Sequence, residues 1–144
     1  MFRPMQTLTR RGRLLVAPYA ALAADAGLTL LMQSPEYWSG SYEFASESEV
    51  IGAMTLRLHP LAFVAWIVLW AAILGTVIVF VPRLVARTIS VAAALLHTFG
   101  LLSWLFLSSA NPYLTYSFGL VIAALIVYSL EEKPGSHLHP DRNL

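Results

Sequence analysis

The sequence contains no cysteine, which excludes disulfide frameworks, thiolate metal sites and cysteine nucleophiles. Charge is scarce as well. Only 12% of the 144 residues are Asp, Glu, Lys or Arg, about half the roughly 25% usual in a soluble domain. Familiar catalytic and nucleotide signatures are also missing. There is no HExxH, no GxSxG, no Walker loop, no Gly-rich dinucleotide turn and no GxxxG within an apolar run. No catalytic residue, metal, cofactor or nucleic-acid partner is therefore expected. No hydrophilic stretch is long enough to make a second domain.

What is present is apolar. Leu61–Val81, LAFVAWIVLWAAILGTVIVFV, runs for 21 residues without a charge, enough to cross roughly 30 Å of hydrocarbon as a helix. Three further runs share that character: Leu14–Met32, interrupted only by Asp25, then Thr88–Ser109 and Tyr113–Leu130. Between them lie an outer loop over 33–60, a short Pro82–Arg87 hairpin and an Ala110-Asn111-Pro112 turn. A basic segment, 1–13, precedes the runs, and a polar tail, 131–144, follows. The pattern predicts an all-α membrane protein, a four-transmembrane antiparallel helical bundle with spans at about 14–32, 61–81, 88–109 and 113–130.

The first run admits a second reading, a signal peptide ending at the small residues Ala21-Leu22-Ala23, with Thr9-Arg10-Arg11 hinting at a twin-arginine signal. The apolar run continues for nine residues past that cut, which favours the helix.

Orientation follows from the basic residues. With the N-terminus inside, Arg3, Arg10, Arg11, Arg13, Arg83, Arg87, Lys133 and Arg142 are all cytoplasmic, and only Arg57 lies outside. The expected location is the plasma membrane, multi-pass, with both termini cytoplasmic. The outer loop then carries Glu36, Glu43, Glu47 and Glu49 beside Tyr37, Trp38, Tyr42 and Phe44, aromatics suited to the headgroup level. Ser46-Glu47-Ser48-Glu49 has capping-box spacing. Val50, Ile51, Met54 and Leu58 follow on one helical face, which predicts a short interfacial helix in the outer loop.

Two intramembrane residues stand out. A carboxylate in a span is costly, on the order of 2.5–3.5 kcal/mol on insertion scales, so Asp25 is expected to face the bundle. Thr29 lies one turn further along the same face and Ala21 one turn before. His97, in the third run, falls within about one helical turn of the depth of Asp25. An Asp25–His97 hydrogen bond that could relay protons is one reading. The other is structural, with Asp25 bonding a neighbouring helix and His97 bonding a hydroxyl such as Ser90, Thr98 or Ser117. Haem ligation is not expected, because His59, the nearest other histidine to a span, sits at a different depth. The tail's His137, His139 and Asp141 lack the organised ligands of a metal site. The four loop glutamates form an acidic cluster that could act as a cation-attracting vestibule.

Asp25 and Thr29 with the following Glu-containing segment resemble small uncharacterised prokaryotic membrane proteins of three or four spans that carry Asp-x-x-x-Thr in the first. Such proteins would be expected to carry Glu-x-Asn-Pro in the outer segment. Here Glu47-Ser48-Glu49-Val50 is the nearest match and lacks both Asn and Pro. The resemblance implies no activity, only that Asp25, Thr29 and Glu47 belong to one site. With no reactive constellation in view, the expected role is a non-enzymatic accessory or assembly component. It would work through helix contacts in the lipid bilayer, as a homo-oligomer or with a membrane-protein partner. The alternative is a small oligomeric transporter or proton-coupled channel using Asp25 and His97.

Overall fold

The computed structural model describes residues 11–107 and 112–131. The first ten residues, the end of the third run with its turn, and the tail bearing His137, His139 and Asp141 lie outside the described residues. Every regular element described is a helix. Val16–Leu31 forms α1, Pro35–Trp38 a single turn α2, and Val50–Leu58 α3. Three long helices follow, Pro60–Phe80 (α4), Arg83–Leu107 (α5) and Pro112–Leu130 (α6). Three helical stretches, Arg11–Leu31, Pro60–Phe80 and Arg83–Phe106, are long and apolar enough to cross a membrane, and Tyr116–Leu130 is a shorter apolar helix.

One boundary differs from the sequence expectation. α5 begins at Arg83, not near Thr88, so the connection shrinks to Val81 and Pro82. Pro82 has no N–H to donate, and its carbonyl accepts from Ala86, so the proline starts the helix and PRLVAR becomes its first turns.

α1 and α5 run side by side in the same direction, with Leu14 opposite Ser90 and Asp25 opposite His97. α4 and α6 run the other way: Tyr19 of α1 meets Ala71 of α4, and Arg13 meets Tyr128 of α6. One end of the molecule therefore gathers Arg11, Arg13, Arg83 and Arg87, and the other carries the 33–59 loop with its glutamates. At the basic end, Leu14, Leu74, Ile78 and Ala86 close a buried apolar cluster. The Arg11 guanidinium donates to the carbonyls of Val79 and Val81, oxygens that α4 cannot satisfy at its own C-terminus. Arg13 donates to the Tyr128 carbonyl at 2.8 Å and lies 4.4 Å over the Tyr128 ring, a cation–π contact.

At the other end the loop folds on its own small core. Ser34 caps α2 by accepting from the Tyr37 amide, and Pro35 occupies the first turn. Gly40, at φ 104, makes the sharp turn that follows, a conformation few residues other than glycine adopt. Tyr37 does not sit out at the headgroup level. It is fully buried with Leu56 and Phe63, and its hydroxyl donates to the Leu56 carbonyl at 3.2 Å. That burial pushes its phenol up from the ordinary value, helped by Tyr42. α3 is capped by Glu49, not by Ser46. Its carboxylate accepts from the amides of Ile51 and Gly52.

The start of α1 carries the fold's most exacting polar contact. Pro18 has no N–H, so the Leu14 carbonyl four residues earlier loses its helical partner. The Ser90 hydroxyl of α5 replaces it, donating to Leu14 O at 2.5 Å, and Ser90 is itself buried. Ser90→Ala should cost about 1–3 kcal/mol, the desolvation cost of a stranded carbonyl. Pro18→Ala restores a backbone donor, so the double variant should recover most of that loss. Unfolding in detergent micelles measures all three; an equal cost of Ser90→Ala in both backgrounds would refute this account.

Candidate functional site

α1 and α5 pack side by side, and where they face each other the two ionisable groups of their apolar stretches meet. His97 Nδ1 lies 2.9 Å from Asp25 Oδ2. The hydroxyls offered as alternative partners are occupied within their own helices or at α1: Thr98 donates to Ala94 O, Ser117 to Tyr113 O, and Ser90 to Leu14 O. Both members of the pair are largely enclosed, His97 at 15% and Asp25 at 20% side-chain exposure. Gly100, one turn beyond His97, makes the approach possible. A Cβ there would come within 2.8 Å of Asp25 Oδ1, so any larger residue would displace the carboxylate.

The other ring nitrogen is also engaged. Trp70 of α4 donates from Nε1 to His97 Nε2 at 3.4 Å. An indole N–H can only donate, so Nε2 must carry a lone pair and the single ring proton must sit on Nδ1, directed at Asp25. The result is a chain across three helices, from Trp70 through His97 to Asp25. Sequence reasoning missed Trp70. Its place on the second run, ten residues below Pro60, gives about 15 Å of depth, and that was the one available clue.

From Asp25 the polar stripe of α1 climbs toward the loop at four-residue spacing. Thr29 is buried and its hydroxyl donates to Glu47 Oε2 at 3.3 Å. The other Glu47 oxygen accepts from the amides of Ser48 and Glu49, at 2.7 and 3.0 Å. Gln33, the next step, was not singled out from sequence. Its amide grips the Ser46 main chain twice, N–H and C=O, each at 2.8 Å, and also donates to the Thr29 carbonyl. The loop is thus fastened to α1 through Gln33 and Thr29.

The four loop glutamates do not act together. Glu47 and Glu49 line a cavity shared with Asp25, Thr29 and His97. Glu36 and Glu43 lie elsewhere on the loop surface, where hydrogen bonding to its own main-chain amide, and then to Ser34, holds the Glu36 carboxyl below the usual range. The cavity, about 780 Å³, is bounded by α1, α4, α5 and the 46–52 segment. Its size falls within the range of small-molecule sites, roughly 300–1,000 Å³. Trp66 and Trp70 stack along its α4 wall, ring centroids 6.4 Å apart and 21° from parallel, and Trp104 and Phe63 extend the aromatic surface. At the loop end the rim is polar, with Ser48 and Glu49. Between α4 and α5 it is apolar, with Leu96 and Phe99, both largely exposed. Toward the basic end α1 and α4 are joined by the Tyr19–Ala71 hydrogen bond, 2.8 Å, and by the Leu14 cluster. Among the described residues no group of three or more His, Asp or Glu is arranged to hold a metal.

In comparisons with known proteins, no family model, curated protein or solved structure matches the chain.

The tautomer argument is directly measurable. Side-chain ¹⁵N spectra of His97 should show Nδ1 protonated and Nε2 bare, the less common neutral form. Trp70→Phe, which removes the indole N–H and leaves Asp25 and His97 in place, should lift the constraint that keeps Nε2 bare. An Nε2-protonated ring in the wild type would contradict the Trp70 contact.

Proposed function

We propose that this protein is a four-span plasma-membrane protein with both termini cytoplasmic, in which the Asp25–His97 pair couples proton movement to the passage of a solute. The observation that carries this reading is the pair's position: it lies within a cavity large enough for a small molecule, at the foot of an acidic stripe. Intramembrane ionisable groups mark ion and substrate pathways by default. An accessory component acting only through helix contacts has no need of such a cavity.

Supporting features complete the topology. α6, 19 residues long, would span about 28 Å at helical rise and serve as the fourth span. The exposed stripe of Val50, Ile51, Met54 and Leu58 on α3 suits a helix lying in the outer interface. The arginines gathered at the opposite end fit a cytoplasmic face.

The geometry supplies a coupling device. A proton arriving at His97 Nε2 makes the ring an imidazolium, a donor at both nitrogens, still held by Asp25 through Nδ1. Trp70 Nε1–H then faces another donor, and the indole must turn away from the ring. Trp70 is part of the cavity wall, so protonation reshapes the space a solute occupies. The titratable groups around this event are Asp25 on α1 and, further up the same cavity, Glu47 and Glu49; α4 contributes only the indoles of Trp66 and Trp70. Passage to the far side requires the Leu14, Leu74, Ile78 and Ala86 cluster to part, a local opening between α1, α4 and α5.

Proteoliposomes bearing a proton gradient provide the test. Wild-type protein should dissipate the gradient when solute is offered, and Asp25→Asn should abolish that flux while its unfolding transition stays intact. Equal flux in both samples would remove Asp25 from the pathway. No flux in either would return the protein to the accessory class.

A further inference from the structure

The walls of the cavity carry a charge pattern that selects among solutes. Asp25, Glu47 and Glu49 face it, and among the described residues no lysine or arginine lines it. His97, the one described residue on the wall that can become a cation, is tied to Asp25. Asp25 Oδ1 accepts no hydrogen bond among the described residues, while Oδ2 holds His97, so one carboxylate oxygen retains its acceptor capacity. The same cavity is lined by the aromatic side chains of Trp66, Trp70, Trp104 and Phe63. Indole faces attract cations through the ring quadrupole, most strongly where water is excluded. The lateral rim at Leu96 and Phe99 is apolar, which admits a molecule with a greasy body from the side as well as through the loop.

We infer that the cavity binds an organic cation, a soluble ammonium or phosphonium compound with an apolar body, held between the tryptophans and the carboxylates of Asp25 and Glu47. This rests on reading the cavity as a binding site, as in the transport proposal, and it names the class of solute. Anions are disfavoured by these carboxylates, which no lysine or arginine among the described lining residues offsets. A zwitterionic lipid headgroup brings its own phosphate into the same negative surroundings, and is disfavoured for that reason.

Calorimetric titration of the full chain in phosphatidylglycerol nanodiscs tests this, with empty nanodiscs as the blank. Tetraphenylphosphonium should bind saturably with one site per chain, and tetraphenylborate, of equal size and opposite charge, should not. Trp66→Ala and Glu47→Gln should each weaken binding about tenfold, the scale of one desolvated cation–π or charge contact. Trp66→Phe, which keeps an aromatic ring and is the gentler change for folding, should weaken it by a smaller factor. Equal binding of the two probes, or binding untouched by all three substitutions, would overturn the inference. Loss of the phosphonium site when phosphatidylcholine is added would also overturn it, by assigning the site to a lipid headgroup. The two proposals fail separately: binding without proton flux removes only the coupling, and solute-dependent flux without phosphonium binding removes only the cation.

Discussion

A carboxyl group in an apolar helix must be satisfied inside the protein, and that single constraint sets the arrangement of this molecule. Asp25 cannot turn to the hydrocarbon region for a partner, so it needs one within the protein. Its partner is His97, and reaching it demands that α1 and α5 lie in contact with Gly100 at the crossing. The same helix pair is pinned again, seven residues before His97 on α5, by Ser90, which satisfies the carbonyl that Pro18 leaves stranded. Two polar contacts, one near each end, fix both the register and the rotation of α5 against α1. Apolar packing alone would set neither sharply, because small and aliphatic side chains slide past one another at little cost.

With α1 and α5 so locked, α4 is left to diverge. It is held at the basic end by Arg11, Tyr19 and the Leu14 cluster, and at the loop end through Phe63, which packs with Tyr37 and Leu56 under the loop. Between these two anchors it stands away from its neighbours, and the cavity fills the gap. The loop is therefore structural. Gln33 and Thr29 fasten it to α1, Glu49 caps α3, and the buried Tyr37 ties α2 to α3. Detaching it would expose the cavity's polar end.

The helices were legible in the sequence because composition and length decide them: a charge-free run of 21 residues has no other stable form in lipid. Depth was legible too, since helical rise converts residue count into distance, and it placed Asp25 and His97 at similar levels. Rotation was not. Whether those two side chains point at each other depends on α5 packing, which Gly100 and Ser90 govern without any motif to announce them. Trp70 was hidden for a related reason, because a tryptophan in an apolar run reads as lipid-facing or core until its N–H finds an acceptor. The loop misled in its details. Tyr37 looked like an interfacial aromatic, and a buried tyrosine has the same sequence signature. Ser46 held the capping position by spacing, yet its main chain was taken by Gln33, and Glu49 became the cap.

In the proposed exchange, the proton and the organic cation meet at one charge. A proton on the Asp25–His97 pair and a cation beside Asp25 and Glu47 both offset the same negative potential, so each must weaken the binding of the other. Linkage makes that antagonism reciprocal: whatever factor the proton takes from the cation's affinity, the cation takes from the proton's. Trp70 adds a steric component in the same direction. Its indole donates to His97 Nε2, and in the proposed scheme protonation of that nitrogen turns it away from the cation's wall. An electrostatic and a geometric effect of the same sign, acting through three adjacent side chains, would underlie the proposed exchange, in which one cation is released as the other is bound.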